Sequence, residues 1–137
     1  MSLKAINAYQ KGTLKQDIAN ADPHKITLML MQGALDRLAY AKGCIERNDL
    51  KGRSDYLSKV IAIFVHLRDT LDLEVGGEFS SNLYSLYNYF LQLLSGIEKD
   101  NGKAVIDEVI ELFSPIRDAW LQIPETAKQE AYAQANA

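Results

Sequence analysis

The chain has 137 residues, enough for one domain and too few for two, and its 47% apolar and 24% charged content is that of an ordinary soluble globular protein. A net charge of -3 gives no electrostatic reason to expect nucleic acid or an anionic membrane as partner. The opening MSLKAINAYQKGTLKQD sustains no apolar run of the kind a secretory signal needs, and the single Cys44 cannot close an internal disulfide, so a cytoplasmic protein is expected.

Residues 1–20 carry Leu3, Ile6 and Tyr9, then Gly12, then Leu14 and Ile18 among polar neighbours. That pattern supports one or two turns of amphipathic helix, which is marginal in water unless it docks. Ile6 and Tyr9 are therefore expected to rest on the body of the protein.

Asp22 before Pro23 combines an N-cap acceptor with a proline preset for the first turn, so a first helix should run from there to about Arg47. Its core stripe reads Ile26, Leu30, Met31, Ala34, Leu38, Ala41 and Ile45. Leu28 and Leu35 project to one side of that stripe and Met29 and Tyr40 to the other, more apolar surface than one face requires. Asn48 and Asp49 make the next turn, and a second helix follows to about Leu73 with Leu57, Val60, Ile61, Phe64, Leu67 and Leu71 as its stripe and Ile63 and Val65 at or beyond its edges. The β-branched run at 60–65 reads as helix because the 3.6-residue period continues past it on both sides.

Gly76 and Gly77 break the pattern and release a third helix that begins at Glu78. Residues 79–97 contain no charged residue, and their length approaches the ~20 residues that cross a bilayer. Ser80, Ser81, Asn82, Ser85, Asn88, Gln92 and Ser95 make the stretch too polar for membrane insertion. Phe79, Leu83, Leu86, Phe90, Leu93, Leu94 and Ile97 form its stripe, with Tyr84 and Leu91 beside it and Tyr89 on the other flank. So wide an arc is expected either to be buried on two faces within the bundle or to meet a partner.

After Asp100, Asn101 and Gly102, a fourth helix sets Val105, Ile106, Val109, Ile110, Leu112 and Phe113 against Asp107, Glu108 and Glu111. Pro115 should kink or restart it, with Ser114 as a new N-cap, and the pattern goes on through Ile116, Trp120 and Ile123 to Pro124. Residues 125–137 show no core pattern beyond Tyr132 and read as a flexible tail. Four helices of similar length with short connections predict an all-α, antiparallel up-down four-helix bundle over residues 21–124, preceded by the short N-terminal segment.

The chemistry of a catalyst is missing from this pattern. Carboxylate-bridged metal bundles need Glu-x-x-His, and the residues three before His24 and His66 are Ala21 and Ile63. His66 points away from its core stripe as a phosphoacceptor would, but Leu67, Arg68 and Asp69 follow it without the small residues that admit a response regulator. His24 reads as a helix-start residue facing solvent or bonding locally, and Cys44 as an inert, half-buried small residue. There is no phosphate-cradling glycine loop and no nucleophile elbow, so neither an enzyme nor a cofactor is expected.

ADPHKITLMLMQGALDRLAYAKGCIERND, LDLEVGGEFSSNLYSLYNY and the opening AINAYQ resemble, in order and spacing, the flagellar export chaperones called FliS, as does IRDAW at residues 116–120. The resemblance covers about residues 5–123. It implies an antiparallel bundle that binds the disordered C-terminal segment of flagellin, prevents premature polymerisation and delivers the client to a component of the flagellar type III export gate. It also implies that Ile6 and Tyr9 belong to a segment that covers a groove. Together with the surplus apolar positions, this gives an expected partner-binding set of Ile6, Tyr9, Leu28, Leu35, Ile63, Tyr84, Tyr87 and Leu91. Pro115 departs from the uninterrupted last helix of that family, and Phe79 is larger than the aliphatic residue expected there. The same grooves would also serve a helical adaptor that binds another regulatory protein.

Overall fold

A computed structural model of the chain describes residues 22–97 and 101–122, the Val75 side chain excepted. It contains four helices: α1 Pro23–Glu46, α2 Leu50–Asp69, α3 Leu73–Ser95 and α4 Gly102–Leu121. The start of α1 is the one its residues encode, with Pro23 in the first turn and the Asp22 carboxylate accepting from the Lys25 backbone N–H at 2.7 Å. Asp49 caps α2 in the same way, accepting from Gly52 N–H at 2.9 Å, while Asn48 turns the chain with φ 58°.

The four helices pack as a ring in which each touches its sequence neighbours and α4 closes back on α1. Antiparallel order shows in the residues that meet across the α1–α4 seam. Lys103 lies beside Glu46, Asp107 beside Lys42, Arg117 beside Gln32 and Trp120 beside His24, so numbers on one helix rise as those on the other fall.

At the centre, Phe64 of α2 meets Phe90 and Tyr87 of α3 and Phe113 of α4, with ring centroids 5.3, 5.9 and 5.0 Å away. All four are essentially fully buried. Helix α1 answers these large rings with Met31, Ala34, Leu38 and Ala41, whose small members let its backbone approach closely.

Several expectations are corrected. Tyr87 is 1% and Leu35 9% exposed, so both belong to the core and are removed from the partner-binding surface. The buried line of α3 is Leu83, Tyr87, Phe90 and Leu94, which leaves Leu86 and Leu93 only half-buried. Phe79, expected in that line, is 64% exposed because it sits just past the break at Gly77, beyond the reach of the central cluster. Gly77 itself (φ 54°, ψ -131°) takes a conformation that side chains disfavour, and it separates the turn at 73–76 from the body of α3. Helix α4 runs through Pro115 without restarting. Pro115 and Glu111 are both exposed, so the Glu111 carbonyl left without its N–H partner faces water, and Ser114 bonds back to the Ile110 carbonyl at 2.7 Å instead of capping a new helix. Among the described residues no helix is long and apolar enough to cross a membrane.

Candidate functional site

Among the described residues, two opposite seams of the ring carry an apolar groove. Between α1 and α2 the Tyr40 and Tyr56 ring centroids lie 5.3 Å apart on the side of the connecting turn, and an apolar groove occupies the seam on the side away from that turn. A groove of about 470 Å³ opens there, lined by Ile26, Met29, Leu30, Gly33 and Arg37 from α1 and by Lys59, Ala62 and Ile63 from α2. Gly33 forms part of its floor. A Cβ at that position would lie 3.0 Å from Arg37 Nη1 and 3.8 Å from Ile63 Cδ1, so even a methyl group would begin to fill the space. The Gly33 carbonyl accepts from Arg37 Nη1 at 3.1 Å.

On the opposite side of the ring, α3 and α4 make the slightest contact of the four neighbouring pairs. A second groove of about 310 Å³ is lined by Phe79 and Leu83 of α3 and by Pro115, Ile116, Ala119 and Trp120 of α4. Its walls carry no charge. Farther along the seam the Tyr89 hydroxyl donates to Glu108 Oε1 at 2.9 Å, and this hydrogen bond raises the Tyr89 pKa.

Trp120 is fixed from behind by His24, a residue read in the sequence as solvent-facing or locally bonded. His24 is 5% exposed, and its ring stacks on the indole with centroids 4.9 Å apart and planes 8° from parallel. The Trp120 carbonyl accepts from His24 Nε2 at 2.7 Å, which places a proton on that nitrogen, and Trp120 Nε1 donates to the His24 carbonyl at 3.0 Å. This reciprocal pair joins the first turn of α1 to the last turn of α4. Both grooves open toward the same end of the bundle as this pair, one on each side.

Of the expected partner-binding residues, Ile63 lines the α1–α2 groove, Tyr84 is 38% exposed on α3, and Leu28 and Leu91 are half-buried. Ile6 and Tyr9 lie outside the described residues. The structure adds Ile26 and Leu30, which periodicity assigned to the core, and Phe79, Ile116 and Trp120 as groove walls. Met29 and Ile63 were the signals in the sequence, since both stood outside the core stripes of their helices.

The fold is thus an all-α four-helix bundle with an apolar groove on each of two opposite seams. The sequence pattern of the family described as flagellar protein FliS matches residues 5–127, and the chain belongs to that family. It is 35% identical over 119 residues to the flagellar secretion chaperone FliSB of Pseudomonas aeruginosa, covering 87% of this chain and 94% of that one. It is 36% identical over 128 residues to the flagellar secretion chaperone FliS of Salmonella typhimurium, covering 92% and 95%. The corresponding protein of Vibrio cholerae is 33% identical over 120 residues, with 88% of each chain covered.

Proposed function

We propose that the chain is a cytoplasmic flagellar secretion chaperone that holds the disordered C-terminal segment of flagellin, keeps it from polymerising and delivers it to the export gate. The observation that carries this reading is the pair of apolar grooves on opposite seams at one end of the bundle. A single client segment can occupy both only by passing over or around that end, which favours an extended chain over a compact partner. Ordering such a segment costs several kcal/mol, so the contact must be spread over a long surface. Segments that lay an apolar side into a groove satisfy their own backbone by becoming helical.

The test is a titration with a flagellin C-terminal peptide. The complex should show more far-UV helical signal than the sum of its parts and a negative heat-capacity change, and Ile63→Ser or Phe79→Ser, one at each groove, should weaken it. An unchanged sum spectrum at saturation would remove the groove-folding reading. The N-terminal segment is proposed to act as a lid. A lid closed by ~2 kcal/mol lowers apparent affinity roughly thirtyfold, so Ile6→Ala with Tyr9→Ala should preserve or tighten peptide binding. Weaker binding of that double variant would mean that the segment grips the client itself.

A further inference from the structure

The two grooves differ in charge. The α3–α4 groove has uncharged walls, whereas Arg37 and Lys59 stand on either wall of the α1–α2 groove and no residue lining it is acidic. Neither cation has a carboxylate within ion-pair distance among the described residues. Arg37 is instead folded back on the Gly33 carbonyl, and Lys59 Nζ lies 5.8 Å from the centroid of the Tyr56 ring. Two cations without acids, set over an apolar floor in a chain of net charge -3, form a local field that favours a negative guest.

The geometry points to a specificity rule: the α1–α2 groove takes an apolar segment that carries a carboxylate beside its apolar side chains, with Arg37 exchanging the Gly33 carbonyl for that carboxylate and Lys59 facing it from the other wall. A guanidinium gains from the exchange because a charged, forked acceptor replaces a single neutral one. Gly33 is part of the device, since its missing side chain leaves room for the guest and its backbone carbonyl is the acceptor that parks Arg37. The N-terminal segment of this chain is a poor occupant of this groove, because residues 1–21 carry Lys4, Lys11 and Lys15 against one acid, Asp17. The inference rests on the grooves being client sites and does not require the client to be flagellin.

The test uses the full chain and a displayed library of helical peptides with leucines fixed on one face and the flanking positions randomised. Groove-dependent clones are those lost on Gly33→Leu, with Ala62→Phe on the exposed wall as a second block should the first variant lose its helical spectrum. Among these clones Asp and Glu should be enriched at one flank, and selection on Arg37→Glu should enrich Lys and Arg there instead. In a purified clone, Glu→Gln should weaken binding to the native chain about tenfold and leave binding to Arg37→Gln unchanged. The inference is overturned if no clone depends on the groove, if groove-dependent clones show no charge preference, or if the preference survives Arg37→Glu. It is also overturned if deleting residues 123–137 raises the affinity of acidic clones tenfold, which would make the tail, with Glu125 and Glu130, the native occupant. A flagellin C-terminal peptide run in parallel separates the two readings. If it fails to bind while acidic clones dock, the proposed client is wrong and the charge rule stands.

Discussion

Helix α4 treats its two neighbours in opposite ways. Toward α1 it presents Lys103, Asp107 and Arg117, which meet Glu46 at 3.2 Å, Lys42 at 2.7 Å and Gln32, and the seam ends in the His24–Trp120 pair. Toward α3 it presents Pro115 and Ala119, with one side-chain hydrogen bond among the described residues, from the Tyr89 hydroxyl to Glu108. Each flank repeats at helical spacing, so the contrast is written along one helix. The comparison teaches that apolar residues do not by themselves close a seam. Side chains that reach across and pair set the register between α1 and α4, whereas a flank made of a proline and a small residue leaves space between α3 and α4.

The largest way to break this contrast is to remove what both flanks share. Phe113 lies between them, fully buried, and Phe113→Ala should destabilise the bundle by about 3–5 kcal/mol in urea unfolding. A loss below ~1 kcal/mol would mean that the aromatic cluster is not the centre of the fold.

A second test strikes the α3 side alone. Burial pushes the Tyr87 phenol up to about 12, from an ordinary value of 10.0. The neutral form is the one that the fold favours, so its contribution is complete below pH 10. As pH rises from 10 toward 12 the unfolded chain releases its proton first, and stability falls by roughly 3 kcal/mol across that window. Tyr89, raised by its bond to Glu108, loses its proton in the alkaline range too, so the quantity to measure is the difference between the native chain and Tyr87→Phe at pH 9 and pH 11. Equal pH slopes in the two proteins would place the Tyr87 hydroxyl in water.

The end of the α1–α4 seam gives a smaller effect. His24→Ala leaves the Trp120 carbonyl without its donor and the indole without its stacking partner, which should cost about 1–3 kcal/mol. His24→Gln, which can still donate, should recover part of the loss, and an Ala variant as stable as the native chain would make the pair incidental. The smallest effect is expected at the exposed ion pair, where the bond to Asp107 holds the Lys42 ammonium above its usual range. Asp107→Asn should leave the melting temperature unchanged within error at 1 M salt and lower it only slightly in dilute buffer. A large drop would show that the polar links, more than the shared core, hold α1 to α4.

Local chemistry was legible in the sequence. Asp22-Pro23 and Asp49 mark helix starts through caps completed within three residues, Gly77 marks a break, and the stripe of Leu57, Val60, Phe64 and Leu67 is buried as its spacing predicts. The phase of a stripe was harder to read where apolar residues adjoin. Leu86 and Tyr87 are neighbours on α3, and only the rings of Phe64 and Phe113, supplied by other helices, decide that Tyr87 turns inward. His24 escaped for the same reason, since its partner lies 96 residues away and no local spacing announces it. Ile26 and Leu30 show the remaining difficulty, because a groove wall has the periodicity of a core and differs only in what its neighbour lacks.

Trp120 is the only tryptophan in the chain, and it stands between the His24 ring and the open space of the α3–α4 groove. All indole emission therefore comes from one place, where a guest filling that groove would exclude water from one side of the ring while the imidazole holds the other. The natural protein thus carries its own fluorophore at the boundary between the closed and open sides of α4. A guest entering this groove shifts the emission to shorter wavelength, and one confined to the groove beside Arg37 leaves it unchanged, so a single cuvette distinguishes the order in which the two sides are filled.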